Sequence, residues 1–383
     1  MAARRTLFAR FTALGVTAAV GATLVTATGS GPALGQEGKP PLTMASYGGA
    51  YTRSQMLAFV QPYRDLQERW VTVEDFNGGL DEIRAQIRSA NPKWDVVILE
   101  LPDAIAGCEE GLLEAIDPAM LVPAPDGTPA TDDFFDVALQ PCGIGSDIFA
   151  TVVAFDERRY ATPPTTLADF FDVDRFPGRR ALRAQPQVNL EWALIADGVA
   201  PADVYDVLAT EAGLQRAFAE LDRIRDQIVW WTSGDEPPQL LASGAVAMSS
   251  AWNGRIFAEV EARGTPLGTI WQHQVWNMDV WGIPKGAVNR AEAMDFVTFA
   301  TSAERMAAQA DLIAYGPPRR SAAALVAADV QPFLPTAEGR RDGAIRIDHA
   351  WWAERQAGIQ AQFDAWLQDD ARFVYDFNPE DGN

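Results

Sequence analysis

Short apolar runs alternate with stretches of helical periodicity along most of this chain, and that alternation constrains the fold more than any other feature. Val96-Val97-Ile98-Leu99 reads as a strand, and it follows a segment in which Leu80, Ile83 and Ile87 recur at helical spacing behind Asp81. Further strands are expected over residues 149–155, near Ala181, and over 228–231, 245–249 and 280–283. Helices are expected from Leu190, near Phe218, over 290–301 and, last, on a face carrying Ile359, Phe363, Trp366 and Leu367. Such an order builds mainly parallel sheets covered by helices, so the expected class is α/β. Asp156 and the pair Pro163-Pro164 mark a break at which a second unit begins.

With 48% hydrophobic and 22% charged residues over 383 positions, the chain can bury the cores of two such units. Its net charge of −21, from 52 acidic and 31 basic residues, has the wrong sign for a nucleic-acid partner. Arg4, Arg5 and Arg10, an apolar run from Phe11 to about Val25, and Ala33-Leu34-Gly35 read as an export leader over residues 1–35, cleaved before Gln36. The expected location is the periplasm by the general secretory route; Arg4-Arg5-Thr6-Leu7-Phe8 leaves the twin-arginine route as the alternative. Cys108 and Cys142 are the only cysteines, and in an exported chain they are expected to form a disulfide, two buried thiols being the other reading. His273 and His349, the only histidines, lie far from each other and from both cysteines, so no zinc spacing exists and no metal is expected.

Catalytic signatures are missing. There is no G-x-S-x-G elbow and no Walker lysine loop, and Gly143-Ile144-Gly145 lacks the third glycine of a dinucleotide fingerprint, so no cofactor is expected. What recurs instead is aromatic residues beside small polar ones at the ends of strands. Ser46-Tyr47-Gly48-Gly49-Ala50-Tyr51 stands at a strand-to-helix turn, where glycines permit close backbone approach. Trp230-Trp231-Thr232-Ser233-Gly234 and Ala251-Trp252-Asn253-Gly254 end two later strands, where ligands of open α/β sheets bind. Only one of Trp230 and Trp231 can face a given cleft, and Trp231 is the expected one. In Val275-Trp276-Asn277-Met278-Asp279-Val280-Trp281 a carboxylate stands between two indoles, a setting suited to a cation.

Taken in order, Ser46-Tyr47-Gly48-Gly49, Trp94-Asp95-Val96-Val97, Cys108-x-Glu110-Gly111-Leu112-Leu113, Pro237-Pro238-Gln239-Leu240-Leu241, Trp252-Asn253-Gly254, Met278-Asp279 before Ile283-Pro284, and Tyr315-Gly316-Pro317 resemble the extracellular solute-binding proteins of ABC importers, in the spermidine/putrescine-binding group. The resemblance spans essentially the whole chain after the leader. It implies a two-lobed periplasmic-binding-protein fold, each lobe a mainly parallel sheet flanked by helices, joined by hinge strands. Lobe 1 would comprise residues 36–156 and 280–383, and lobe 2 residues 157–279. Such a protein is a monomer without catalytic activity that closes on a solute and then docks on a membrane permease.

Polyamine binders sandwich the methylene chain between indoles and hold the ammonium groups with carboxylates; Trp252 and Asp279 match those positions. Two departures stand out. Asn277 replaces a tryptophan, and Gln185-Pro186-Gln187-Val188-Asn189 offers no carboxylate for a second ammonium, with Arg183 nearby instead. The expected solute is therefore a small cationic or zwitterionic amine, polyamine-like, 4-aminobutyrate-like or betaine-like, with Asp279 and Arg183 at opposite ends. The expected contacts are Ser46, Tyr47, Tyr51 and Glu100 from the first lobe, Arg183, Trp231, Trp252 and Asn253 from the second, Asp279 and Trp281 near the crossing, and Tyr315. A secreted carbohydrate-active enzyme or a sugar-binding protein, using Trp platforms and carboxylates, is the alternative.

Overall fold

Ten strands form one mixed sheet in a computed structural model that describes residues 41–341 and 343–368. The leader read over residues 1–35 and the acidic tail from Asn378 lie outside the described residues. The strands are β1 (Leu42–Ser46), β2 (Val71–Asp75), β3 (Val96–Glu100), β4 (Leu139–Gln140), β5 (Gly143–Asp156), β6 (Arg180–Arg183), β7 (Ile228–Trp231), β8 (Met248–Trp252), β9 (Leu267–Gly282) and β10 (Ile345–Arg346). Their order is β2-β1-β3-β9-β5-β8-β6-β7, with β4 on β5 and β10 on β9. Two parallel triplets, β2-β1-β3 and β8-β6-β7, stand at either side, as the βα alternation expects.

Between the triplets run β5 and β9, antiparallel to each other and to β8 and β3. The sequence reading saw only their most apolar stretches, at 149–155 and 280–283. The whole of β5 is buried, because strands flank it on both sides. β9 escaped notice over its first half because the ladder is interrupted there: Thr151 pairs with Val275 and Val153 with Ile270, and His273 in the intervening bulge has a φ of 56°. That bulge is held from outside, with Trp192 Nε1 donating to the His273 carbonyl at 2.9 Å.

Apolar side chains gather in two main clusters. The first lies under the helical run 49–67, where Phe59 and Tyr63 pack with Trp281, Phe296 and the β1 and β3 side chains. The second surrounds Trp192, Leu194 and Leu221 beside β6 and β7. The last of the described helices, His349–Gln368, buries Trp352, Ile359 and Phe363 in this second cluster, and Trp352 Nε1 donates to Glu191 at 2.8 Å. A disulfide joins Cys108 to Cys142, tying the helix Leu101–Glu109 to the chain entering β5, with Cα atoms 5.6 Å apart.

Candidate binding cleft

Five strands end at one place. Ser46 is followed by Tyr47; Glu100, Arg183, Trp231 and Trp252 close β3, β6, β7 and β8, so the carboxyl ends of both parallel triplets converge on the middle of the sheet. There Glu100, Asp279 and Asp147 stand side by side on β3, β9 and β5, each the direct partner of the next. Like charges opposite one another on antiparallel strands destabilise a sheet, and burial makes it worse.

One of the three is neutralised within the protein. Glu100 Oε1 accepts from Arg183 Nη1 at 2.6 Å, and its Oε2 accepts from Asn277 Nδ2 at 2.6 Å. The Glu100 backbone N–H donates to the Tyr47 hydroxyl at 3.0 Å. Asp147 and Asp279 have no cationic partner among the described residues. Asp147 Oδ2 accepts from the Tyr51 hydroxyl at 2.8 Å, yet Oδ1 of both aspartates is buried without a hydrogen bond. Burial first, then the charges of Asp147 and Glu100, push the Asp279 carboxyl well above the ordinary carboxylate range. Burial pushes Asp147 up to about 7.

Aromatic rings surround the pair. Tyr47, Tyr51, Phe149, Trp252 and Tyr315 line one small chamber together with Asp279 and Arg255. Their rings meet at 5.7–6.0 Å, Tyr51 on Tyr315, Phe149 on Trp252 and Tyr47 on Trp252. Beyond the Glu100–Arg183 ion pair a second chamber is lined by Trp231, Ser250 and Gln187, and a third by Asp103, Gln185 and Gln356. Each has room for about one water, 10 Å³ around Asp279, 10 Å³ around Trp231 and 30 Å³ outside Arg183, so a solute enters only if the walls part.

Eight of the eleven expected contacts line these chambers: Tyr47, Tyr51, Glu100, Arg183, Trp231, Trp252, Asp279 and Tyr315. Three are placed elsewhere. The Ser46 hydroxyl donates to Gln55 Oε1 at 2.6 Å and accepts from Thr52 at 2.9 Å, fastening the start of the helix Gly49–Gln55. Both ends of the Asn253 amide serve backbone, accepting from Ala150 N at 3.0 Å and donating to the Ala314 carbonyl at 2.8 Å. Trp281 shares a face of β9 with Asp279, but two residues further along that face is covered by the helical run 49–67, and the indole packs edge-on to Phe59 and Phe296. Trp276 lies on the opposite face of β9, so neither flanking indole embraces Asp279; Trp252 instead lines the chamber with it. Trp230 likewise turns away from Trp231, onto Phe363 and Trp366.

Arg183 pairs with Glu100 through Nη1, its guanidinium 5.0 Å from the Trp252 ring, while its buried Nε has no partner. Sequence reasoning missed Arg255, which follows Trp252-Asn253-Gly254 directly. Its Nη1 donates to the Gly48 carbonyl at 2.9 Å and to Asp235 at 2.7 Å, its Nη2 donates to the Tyr47 carbonyl at 3.0 Å, and its buried Nε has no partner. Asp147 was missed as well. Among the described residues no three His, Cys, Asp or Glu side chains converge as metal ligands.

Strand ends converging on an aromatic chamber that joins the Asp279 carboxylate to the Arg255 guanidinium define a protein that encloses a small polar solute. Residues 60–336 match the bacterial extracellular solute-binding proteins. A gamma-aminobutyric acid-binding protein of Pseudomonas aeruginosa is 37% identical over 325 residues, 85% of this chain and 90% of its own length. Among solved structures, the PBP MotA from A. tumefaciens B6 in complex with glucopine superposes with a TM-score of 0.79 at 26% identity, over 85% of this chain and 99% of that one. The Atu4243-GABA receptor does so with a TM-score of 0.75 at 27% identity, over 88% of this chain and all of that one. The chain belongs to the bacterial extracellular solute-binding protein family, whose members bind small ligands and deliver them to ABC permeases.

Proposed function

We propose that this protein captures a small zwitterion with an ammonium group at one end and a carboxylate at the other, 4-aminobutyrate being the type case, and hands it to an ABC permease. The ammonium displaces protons held by the raised carboxyls of Asp279 and Asp147 and sits inside the box of Tyr47, Tyr51, Trp252 and Tyr315, where cation–π attraction adds about 2 kcal/mol in a desolvated site. The carboxylate meets the free Nε of Arg255, which lines the aromatic chamber with Asp279, rather than that of Arg183, which lies outside that chamber beside Glu100. One observation carries the reading: the buried Asp279 carboxylate, with Asp147 beside it on β5, and the buried Arg255 guanidinium line one aromatic chamber, and each of the two has an unpartnered atom. The gamma-aminobutyric acid-binding relative agrees with this chemistry. A long diamine would have to set its second ammonium at Glu100, already paired with Arg183, or at Asp103, already accepting from Gln356 and the Gly79 amide.

In this reading two lobes, residues 41–156 with those from 280 onward and residues 157–279, swing about β5 and β9 and close on the solute, and the helix His349–Gln368 touches both, donating to Asp103 through Gln356 and burying Trp352 in the cluster around Trp192. The protein works without catalysis, as a monomer, after its leader over residues 1–35 is removed on the general secretory route. The test is calorimetric titration of 4-aminobutyrate, putrescine and glycine betaine into wild type, Asp279→Asn and Arg255→Lys. Wild type binds 4-aminobutyrate most tightly; Asp279→Asn loses at least about a hundredfold, and Arg255→Lys about tenfold, since Lys cannot reproduce the planar guanidinium contact. Putrescine binding tightest, or Asp279→Asn binding as well as wild type, refutes the assignment.

A further inference from the structure

The alternation that turns Asn277 and Asp279 toward the cleft turns Trp276 and Met278 to the reverse face of β9. That face, with Ile148 of β5, floors a cavity of about 250 Å³, far roomier than the cleft chambers. Phe135 and Val137 extend the apolar floor. The rest of the wall is basic or hydrogen-bonding: Trp276, Arg341, Arg346 and His349, the last opening the twenty-residue helix His349–Gln368. Among the described residues that line it, none is acidic.

Two polar atoms there lack partners. Trp276 Nε1, which can only donate, and His349 Nε2 are both buried without a hydrogen bond. The Arg346 guanidinium lies 5.4 Å from the Trp276 ring, and Arg341 Nε donates to the Thr336 carbonyl at 2.7 Å, which fixes the second guanidinium at the rim. An apolar floor, an unused indole N–H, two guanidinium groups and a helix N-terminus call for one kind of occupant.

We propose that this cavity is a second small-molecule site, on the reverse face of β5 and β9, for a monocarboxylate with an apolar body such as an aromatic acid. The apolar body rests on Ile148, Met278 and Phe135; the carboxylate accepts from Trp276 Nε1 and pairs with Arg341 and Arg346. Asn277, which donates to Glu100, lines both this cavity and the Trp231 chamber; no other lining residue is shared with the cleft chambers, and the occupant assigned here does not depend on the solute the cleft takes.

Sodium benzoate is the probe, with benzyl alcohol as its uncharged counterpart, titrated calorimetrically into the full chain. Benzoate is expected to bind saturably to wild type and equally to Arg255→Lys, at least about tenfold more weakly to the double variant Arg341→Ala/Arg346→Ala, and several-fold more weakly to Trp276→Phe. Both arginines are exposed, so their removal leaves the fold intact. No binding at roughly 20 mM benzoate, equal binding by the double variant, loss in Arg255→Lys, or equal binding of benzyl alcohol would each overturn the proposal.

Discussion

Asp147 and Asp279 set the pH behaviour of the unliganded protein. Both carboxyls are raised in the folded state, chiefly by burial, so the folded chain keeps protons that the unfolded chain releases near the ordinary carboxylate range. The charge penalty is therefore absent below about pH 4 and grows as pH rises, reaching full size for Asp147 only as pH passes about 7. Between pH 5 and pH 7, where ordinary carboxylates have already titrated, unliganded stability is expected to fall, by up to about 1.4 kcal/mol per pH unit from Asp147, with Asp279 acting in the same direction. Denaturant melts at several pH values check this; a flat profile contradicts it. A cationic ligand group prefers the ionised pair, so affinity rises over the same window and binding at pH 6 releases protons, measurable as a dependence of binding heat on buffer ionisation enthalpy. Asp279→Asn should weaken binding yet raise the melting temperature of the unliganded protein, because it removes a buried charge. Asp279 and Trp252 were legible in the sequence by their neighbours. Asp147 was not, since only the β5–β9 ladder brings it opposite Asp279, and Arg255 was passed over because an arginine after a strand end is ordinarily a solvated one.

At the scale of elements, the short parallel strands were readable because each is an apolar run bounded by turns. The long pair was not, because β9 carries Gln272, His273 and Gln274 in a bulge whose polar side chains are satisfied only by distant partners, Gln272 by the Leu167 amide and Gln274 by the Arg340 carbonyl. Trp281 was misread for a related reason: alternation tells which face a side chain takes, not what covers it. Gly254 illustrates a constraint that composition hides. A Cβ there would stand 2.1 Å from the Ile313 carbonyl and 2.4 Å from the Tyr315 ring. Gly254→Ala is expected to cost about 1–3 kcal/mol and, by displacing Tyr315, to weaken solute binding as well, whereas an exposed substitution changes neither. The disulfide closes a loop with a sequence separation of 34, for which loop-closure entropy predicts a contribution of about 3–4 kcal/mol. Melting Cys108→Ser/Cys142→Ser against wild type tests that figure, and an unchanged midpoint denies it.

At the scale of the molecule, the tight chambers imply that the conformation described is closed and that an open one must admit the solute. Small-angle scattering should show a radius of gyration that falls when 4-aminobutyrate is added to wild type and stays put in Asp279→Asn. No change in wild type rules out closure on this ligand. The mixed sheet has a consequence of another kind. Because β3 takes β9 as its neighbour, the strand Val96–Glu100 lacks one of its two partners until Asp279–Gly282 has been made, and β5 waits for both β8 and β9. A chain emerging from its N-terminus therefore carries an unpaired edge, apolar from Val96 to Leu99, for about half of its synthesis. Its assembly is a late, long-range event, and the growing polypeptide depends on being shielded from its own copies until the sixteen residues of β9 arrive to close the sheet.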